Sequence, residues 1–96
     1  MNMIKWLEKW YKSNCDGDWE HSYKNVSIRT VDNPGWSVEI NLIETSLEDK
    51  KFEKIQIDNG DEDWIMCWVE DGRFKGAGDT DKLSTILEIF KKWSES

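Results

Sequence analysis

The chain has 96 residues, 38% of them hydrophobic and 34% charged, with a formal net charge of −7. That length supports one domain, residues 1–96, with one modest core, and the composition is that of a folded chain rather than a disordered one. The negative balance argues against nucleic acid as a partner, because phosphates would be repelled, and against adhesion to an anionic membrane surface.

Residues 2–13 predict a helix: Met3, Leu7, Trp10 and Tyr11 recur at helical spacing with Ile4 and Trp6 beside them, and lysines fill the other face. Asn14 and Gly17 are stop signals. Residues 24–31 alternate as a strand does, "DNPG" at 32–35 is a turn, and residues 36–43 form a second strand with Trp36, Val38, Ile40 and Leu42 on one face. Residues 44–51 read as a polar loop around Leu47, and 52–57 as a third strand. Residues 58–63, "DNGDED", are a turn, 64–70 a fourth strand, and 73–76 a short fifth strand ended by Gly76 and Gly78. Asp79 or Thr80 is placed to cap a last helix whose stripe is Leu83, Ile86, Leu87, Phe90 and Trp93. The expected class is α+β: an antiparallel meander of about five strands flanked by N-terminal and C-terminal helices, in the order α-β-β-β-β-β-α.

The fourth strand, "WIMCWVE", is apolar on both faces. Two arrangements account for it. Either a helix covers each side, or both helices pack on Ile65, Cys67 and Val69 and leave Trp64, Met66 and Trp68 open beside Arg29, Glu39, Lys54 and Gln56. The second faces of the neighbouring strands are polar, which favours the open stripe. Seven tryptophans are also more than a domain of this size easily hides.

Residues 14–21, "NCDGDWEH", gather a thiol, three carboxylates, an indole and the single histidine. A calcium loop starting at Asp16 would need glycine at its sixth position and glutamate at its twelfth, where His21 and Ser27 stand. Zinc would need four ligands at suitable spacing, which one histidine and two distant cysteines do not supply. Asp16 and Asp18 beside Cys15 oppose a reactive thiolate. No metal, no cofactor and no enzymatic activity is expected. What remains is a turn after a helix, with Trp19 folded back onto the core and His21 a surface or hydrogen-bonded residue, or an acidic loop with an aromatic anchor made to be gripped by a cationic partner. Two cysteines are too few for a disulfide framework, the N-terminus does not read as a signal peptide, and no apolar run approaches a bilayer span, so a cytoplasmic location is expected.

"WYKSNCDGDWEHSY", "TVDNPGWSVEINL", "DWIMCWVEDGRFKGAGD" and "KLSTILEIFKKW" together resemble the immunity protein 53 family of bacterial polymorphic-toxin systems, over nearly the whole chain. The resemblance implies a small cytoplasmic protein that binds and neutralises a cognate toxin domain, a basic one and on grounds of charge a nuclease. On this reading the contact residues are Asp16, Asp18, Trp19, Glu20 and His21, then Asp32 and Trp36, then Trp64 and Trp68 with Glu70 and Asp71 at the rim. The alternative is a module that binds a small molecule or peptide on the Trp64/Met66/Trp68 face, which requires an enclosed pocket there.

Overall fold

A computed structural model describes residues 2–96. Helix α1 (Met3–Asn14) opens at Asn2, whose side chain accepts hydrogen bonds from the free N–H groups of Ile4 (2.9 Å) and Lys5 (3.2 Å). A short 3₁₀ turn at Trp19–His21 follows, then β1 (Val26–Val31), β2 (Gly35–Asn41), β3 (Ile55–Asp58), β4 (Trp64–Glu70), β5 (Arg73–Gly78) and helix α2 (Leu83–Glu95). The element order and the antiparallel pairing agree with the sequence reading. The strand order differs from a meander: it is β1-β2-β5-β4-β3, with β2 and β5 adjacent at the centre.

The connection over residues 42–54 accounts for the difference. It leaves the sheet centre, passes on the helix side and enters β3 at the far edge. Leu42, Leu47 and Phe52 insert into the core along the way. Lys50 Nζ donates to the C-terminal carbonyls of Trp93 and Ser96, both at 2.8 Å, and Trp93 Nε1 donates to Lys51 O at 2.7 Å. The two Lys50 bonds engage carbonyls at the end of α2, and the Trp93 bond ties that end to the connection. The predicted third strand is shorter than expected at its start, because Phe52 turns into the core against Phe74 and Trp93 instead of pairing.

Both helices pack on one side of the sheet. Val38 and Ile40 of β2, Phe74 of β5 and Ile65 and Cys67 of β4 are buried with Leu7 of α1 and Ile86, Leu87 and Phe90 of α2. Trp6 and Trp10 of α1 meet Phe90 edge-on, with ring centroids 5.9 and 5.1 Å apart, and Phe90 in turn packs on Phe74. Gly76 does not end β5 as expected. It sits mid-strand because a Cβ there would stand 2.4 Å from Ile86 Cγ2, so its bareness lets α2 approach the sheet.

The last helix also starts differently from the expectation. Its N-cap is Lys82, which makes no side-chain cap, and Asp79 serves the preceding turn instead. Buried Asp79 accepts from Trp64 N and Asp81 N and pairs with Lys82 Nζ, all at 2.8 Å. Those bonds tie the end of β5 to the start of β4 and hold the carboxyl down at about 2.

Candidate functional site

With both helices on the Ile65/Cys67/Val69 side, the other side of the sheet is bare. Antiparallel register places Met66 opposite Ala77 and Gln56, Trp68 opposite Lys75, and Ser37 and Glu39 of β2 next in line. Trp64, Met66 and Trp68 are all half-buried, shielded by their neighbours along the sheet and covered by no second layer. The Trp64 indole lies across to Gly35, its ring 3.4 Å from where a Cβ would stand. The Trp68 N–H donates to Glu70 Oε1 at 3.2 Å, and Lys75 Nζ reaches the same oxygen at 3.3 Å. Both groups hold the Glu70 carboxyl below its ordinary value, Trp68 foremost. The result is a face carrying two indoles and a thioether, with the Trp68 tip held by its bond to Glu70.

The centre of this face is not acidic. Glu39 pairs with Arg73 at 3.4 Å and Glu70 with Lys75 at 3.3 Å, with Arg29 exposed nearby. Acidity concentrates at the end of the sheet where Trp64 begins β4. The turns at 32–34, 59–63 and 79–82 meet there with the end of β3, and among the described residues they bring Asp32, Asp58, Asp61, Glu62, Asp63, Asp79 and Asp81 against one cation, Lys82. Lys82 bridges Asp63 and Asp79 at 2.8 Å each, which raises the ammonium to about 12 and lowers both carboxyls. Asp61 and Glu62 stay exposed.

The residues proposed from sequence therefore do not form one surface. Trp64 and Trp68 share the open face, with Glu70 at its rim. Asp32 joins the acidic end. Trp36 belongs to that end but points to the helix side, where its N–H donates to Thr80 O at 3.0 Å. Asp71 sits in the β4–β5 turn at the opposite end of the strands, with φ at 55°. The loop of Asp16, Asp18, Trp19, Glu20 and His21 also lies at that far end, joined to the start of β1.

Of the two readings of Trp19, the structure takes the core one and not the exposed anchor: it is 1% exposed. Its ring packs on Trp10 and Tyr11, and its carbonyl accepts from Asn25 Nδ2 at 2.8 Å, so it has no surface to give a partner. The carboxylates around it serve the loop. Asp16 Oδ1 accepts from Asp18 N and Trp19 N, both at 3.0 Å, while Glu20 accepts from Asp16 N and Gly17 N at 2.9 and 2.8 Å. These backbone donors hold both carboxyls below their ordinary values. Asp18 and His21 are exposed. Cys15 Sγ lies against Tyr11 O at 3.3 Å, and burial pushes the Cys67 thiol up to about 12, so neither is set up as a nucleophile. Among the described residues no three His, Cys, Asp or Glu side chains stand together as a metal site.

The small-molecule form of the alternative lacks the enclosed pocket it requires on this face. A concavity of about 200 Å³ borders Trp64 and Met66 at the β3 edge, open and below the roughly 300–1,000 Å³ of small-molecule sites. A larger groove of about 480 Å³ lies elsewhere, between α1 and β1, and the sequence reading missed it. Its signal was the width of the α1 stripe: Ile4 and Tyr11 extend beyond what the core of a two-helix layer can cover.

No helix is long and apolar enough to cross a membrane. No curated protein and no solved structure matches the chain. The family profile of immunity protein 53 matches residues 4–95, which takes in both helices, every strand and the acidic end. The chain belongs to the immunity protein 53 family, and its office is immunity against a toxin.

Proposed function

We propose that this protein neutralises its toxin by laying the open face of its sheet over the toxin's working surface, without performing a reaction itself. The observation that carries this reading is the half-exposed Trp64/Met66/Trp68 stripe on a sheet side that no helix covers. Trp and Met are favoured interface anchors: Trp buries a large rigid area, and Met is flexible and polarisable enough to fill irregular gaps. The adjoining acidic end supports a basic toxin domain as the partner, because opposed fields raise the encounter rate. A nuclease is the toxin class that best fits, since clustered carboxylates present to a basic cleft the field it expects from phosphates. Encounter takes place in the cytoplasm, with neither nucleic acid nor membrane as a direct partner of the immunity protein.

The test is co-expression with the toxin domain encoded beside its gene, scored by cell survival and by the affinity of the purified pair. Wild type protects and inhibits at one-to-one stoichiometry. Replacing Trp64 and Trp68 together by Ala weakens binding by about 100-fold or more through faster dissociation. Undiminished affinity of that variant would remove the open face from the interface.

A further inference from the structure

The two edges of the sheet are not alike. At one, β3 is only four residues long and runs into the acidic turn. At the other, β1 is six residues long, and its helix-side residues are Val26, Ile28 and Thr30, with no charge among them. Natural edges are usually blunted by shortness, charge or a cover. The β1 edge lacks the first and, on its helix side, the second.

The backbone polarity of this edge follows from one bond. Asn41 N donates to Asn25 O at 2.8 Å, and the register that pairs Val26 with Ile40 sets Asn25 opposite Asn41. Hydrogen-bonded pairs alternate along an antiparallel ladder, so Ser27, Arg29 and Val31 direct their N–H and C=O groups at β2. Val26, Ile28 and Thr30 direct theirs away from the sheet. Three donors and three acceptors thus line the free edge at two-residue spacing.

Helix α1 overhangs this edge. The groove of about 480 Å³ runs between Ile4, Leu7 and Tyr11 above and Val26 and Ile28 below. Ile4 is 52% exposed, Tyr11 38% and Ile28 37%, so the layer has a roof and no floor beyond β1. Glu8, which also meets Lys5 Nζ at 3.3 Å, and Glu20, which also accepts from Asp16 N and Gly17 N, line the groove, and among the described residues no lysine or arginine does.

We propose that an extended segment of the toxin domain adds to β1 as a sixth strand, setting alternate apolar side chains under α1 and a lysine or arginine beside Glu8 and Glu20. The inference rests on the reading of the protein as a toxin-binding inhibitor and assigns a second contact to it, continuous with the open face through the shared sheet. Backbone pairing supplies affinity in such additions, and the side-chain pockets supply selectivity. A second copy of this chain is the poorer occupant. Its charge of −7 opposes self-association, and pairing β1 with itself about Ile28 brings two Arg29 side chains to adjacent positions on one face.

The experiment is residue-resolved amide hydrogen exchange on the full chain, alone and bound to a catalytically inactive form of the toxin domain encoded beside its gene. Alone, the amides of Val26, Ile28 and Thr30 exchange as open amides while those of Ser27, Arg29 and Val31 are protected. In the complex the first three slow by about 100-fold or more. Two variants accompany it: Ile4→Glu changes a side chain outside the core, and Thr30→Pro removes an outward N–H without touching the β1–β2 ladder. Each weakens binding by about 10-fold. A complex that forms with the three outward amides still open, or with both variants binding as wild type, overturns strand addition and leaves toxin neutralisation standing. Failure to form any complex removes both. Protection of the same amides in the toxin-free chain, rising with concentration alongside a dimer, would hand the edge to a second copy and overturn the proposal.

Discussion

Asp79 remains charged while buried because Lys82 and two backbone N–H groups hold it, and its pKa falls from an ordinary 3.8 to about 2. The unfolded chain binds that proton more tightly than the folded one, so the stabilisation is full above about pH 4 and is lost as pH falls through about 2. Asp79→Asn is expected to be less stable at neutral pH and to flatten the fall of melting temperature between pH 4 and pH 2. Thermal unfolding at stepped pH measures this, and parallel curves for variant and wild type would contradict it. Trp19 makes a second single-residue case. Its indole is sealed, and its Nε1 is the one buried side-chain polar atom without a partner among the described residues. Trp19→Ala should cost about 3–5 kcal/mol in urea unfolding. Trp19→Phe, which keeps a ring and deletes an unpaired donor, should cost well under half of that. Equal costs would mean that the N–H has a partner in solution.

At the scale of elements, the contact of α2 with the sheet depends on Gly76. Gly76→Ala forces a methyl against Ile86 Cγ2 and should destabilise by about 1–3 kcal/mol. Combining it with Ile86→Ala, which frees that space, should cost less than the sum of the two single changes in a double-mutant cycle. Strict additivity would show that the strand shifts instead. The elements themselves were largely legible in the chain: period two marks β1 and β2, period 3.6 marks both helices, and turn residues separate β4 from β5. The open side of β4 was the favoured one of two readings, because Arg29, Glu39 and Gln56 do not suit a helix lying across them. Strand order was not, since the β2–β5 pairing joins segments distant in sequence and no local pattern states which edges meet. The burial of Trp19 was one of two readings the chain left open, because the polar residues around it look like a surface while their carboxylates bond the loop's own backbone. Of the contact residues inferred from sequence, Trp64, Trp68, Glu70 and Asp32 lie on or beside the open face, while the first loop does not, because α1 carries it to the far end of the strands.

Over the whole molecule, charge is sorted by position more than by amount. Asp58, Asp61, Glu62, Asp63, Asp79 and Asp81 stand at one end of the sheet and Asp16, Asp18, Glu20 and Asp71 at the other, while the aromatic face between the ends carries both signs in pairs. Steering and anchoring should therefore separate experimentally. Removing charge with Asp61→Asn and Glu62→Gln is expected to slow toxin association several-fold at low salt and flatten its salt dependence, with dissociation unchanged in stopped-flow measurements. A change confined to dissociation would place these side chains inside the contact instead. The crossing connection over residues 42–54 has a further consequence. Everything before it, α1 with β1 and β2, is contiguous in sequence, and so is everything after it, β3 to β5 with α2. The two meet along a single central seam, β2 against β5, and through their helices. Nicked between Glu48 and Asp49, both exposed, the molecule should stay in one piece, and the two fragments made separately should find each other and restore protection from the toxin.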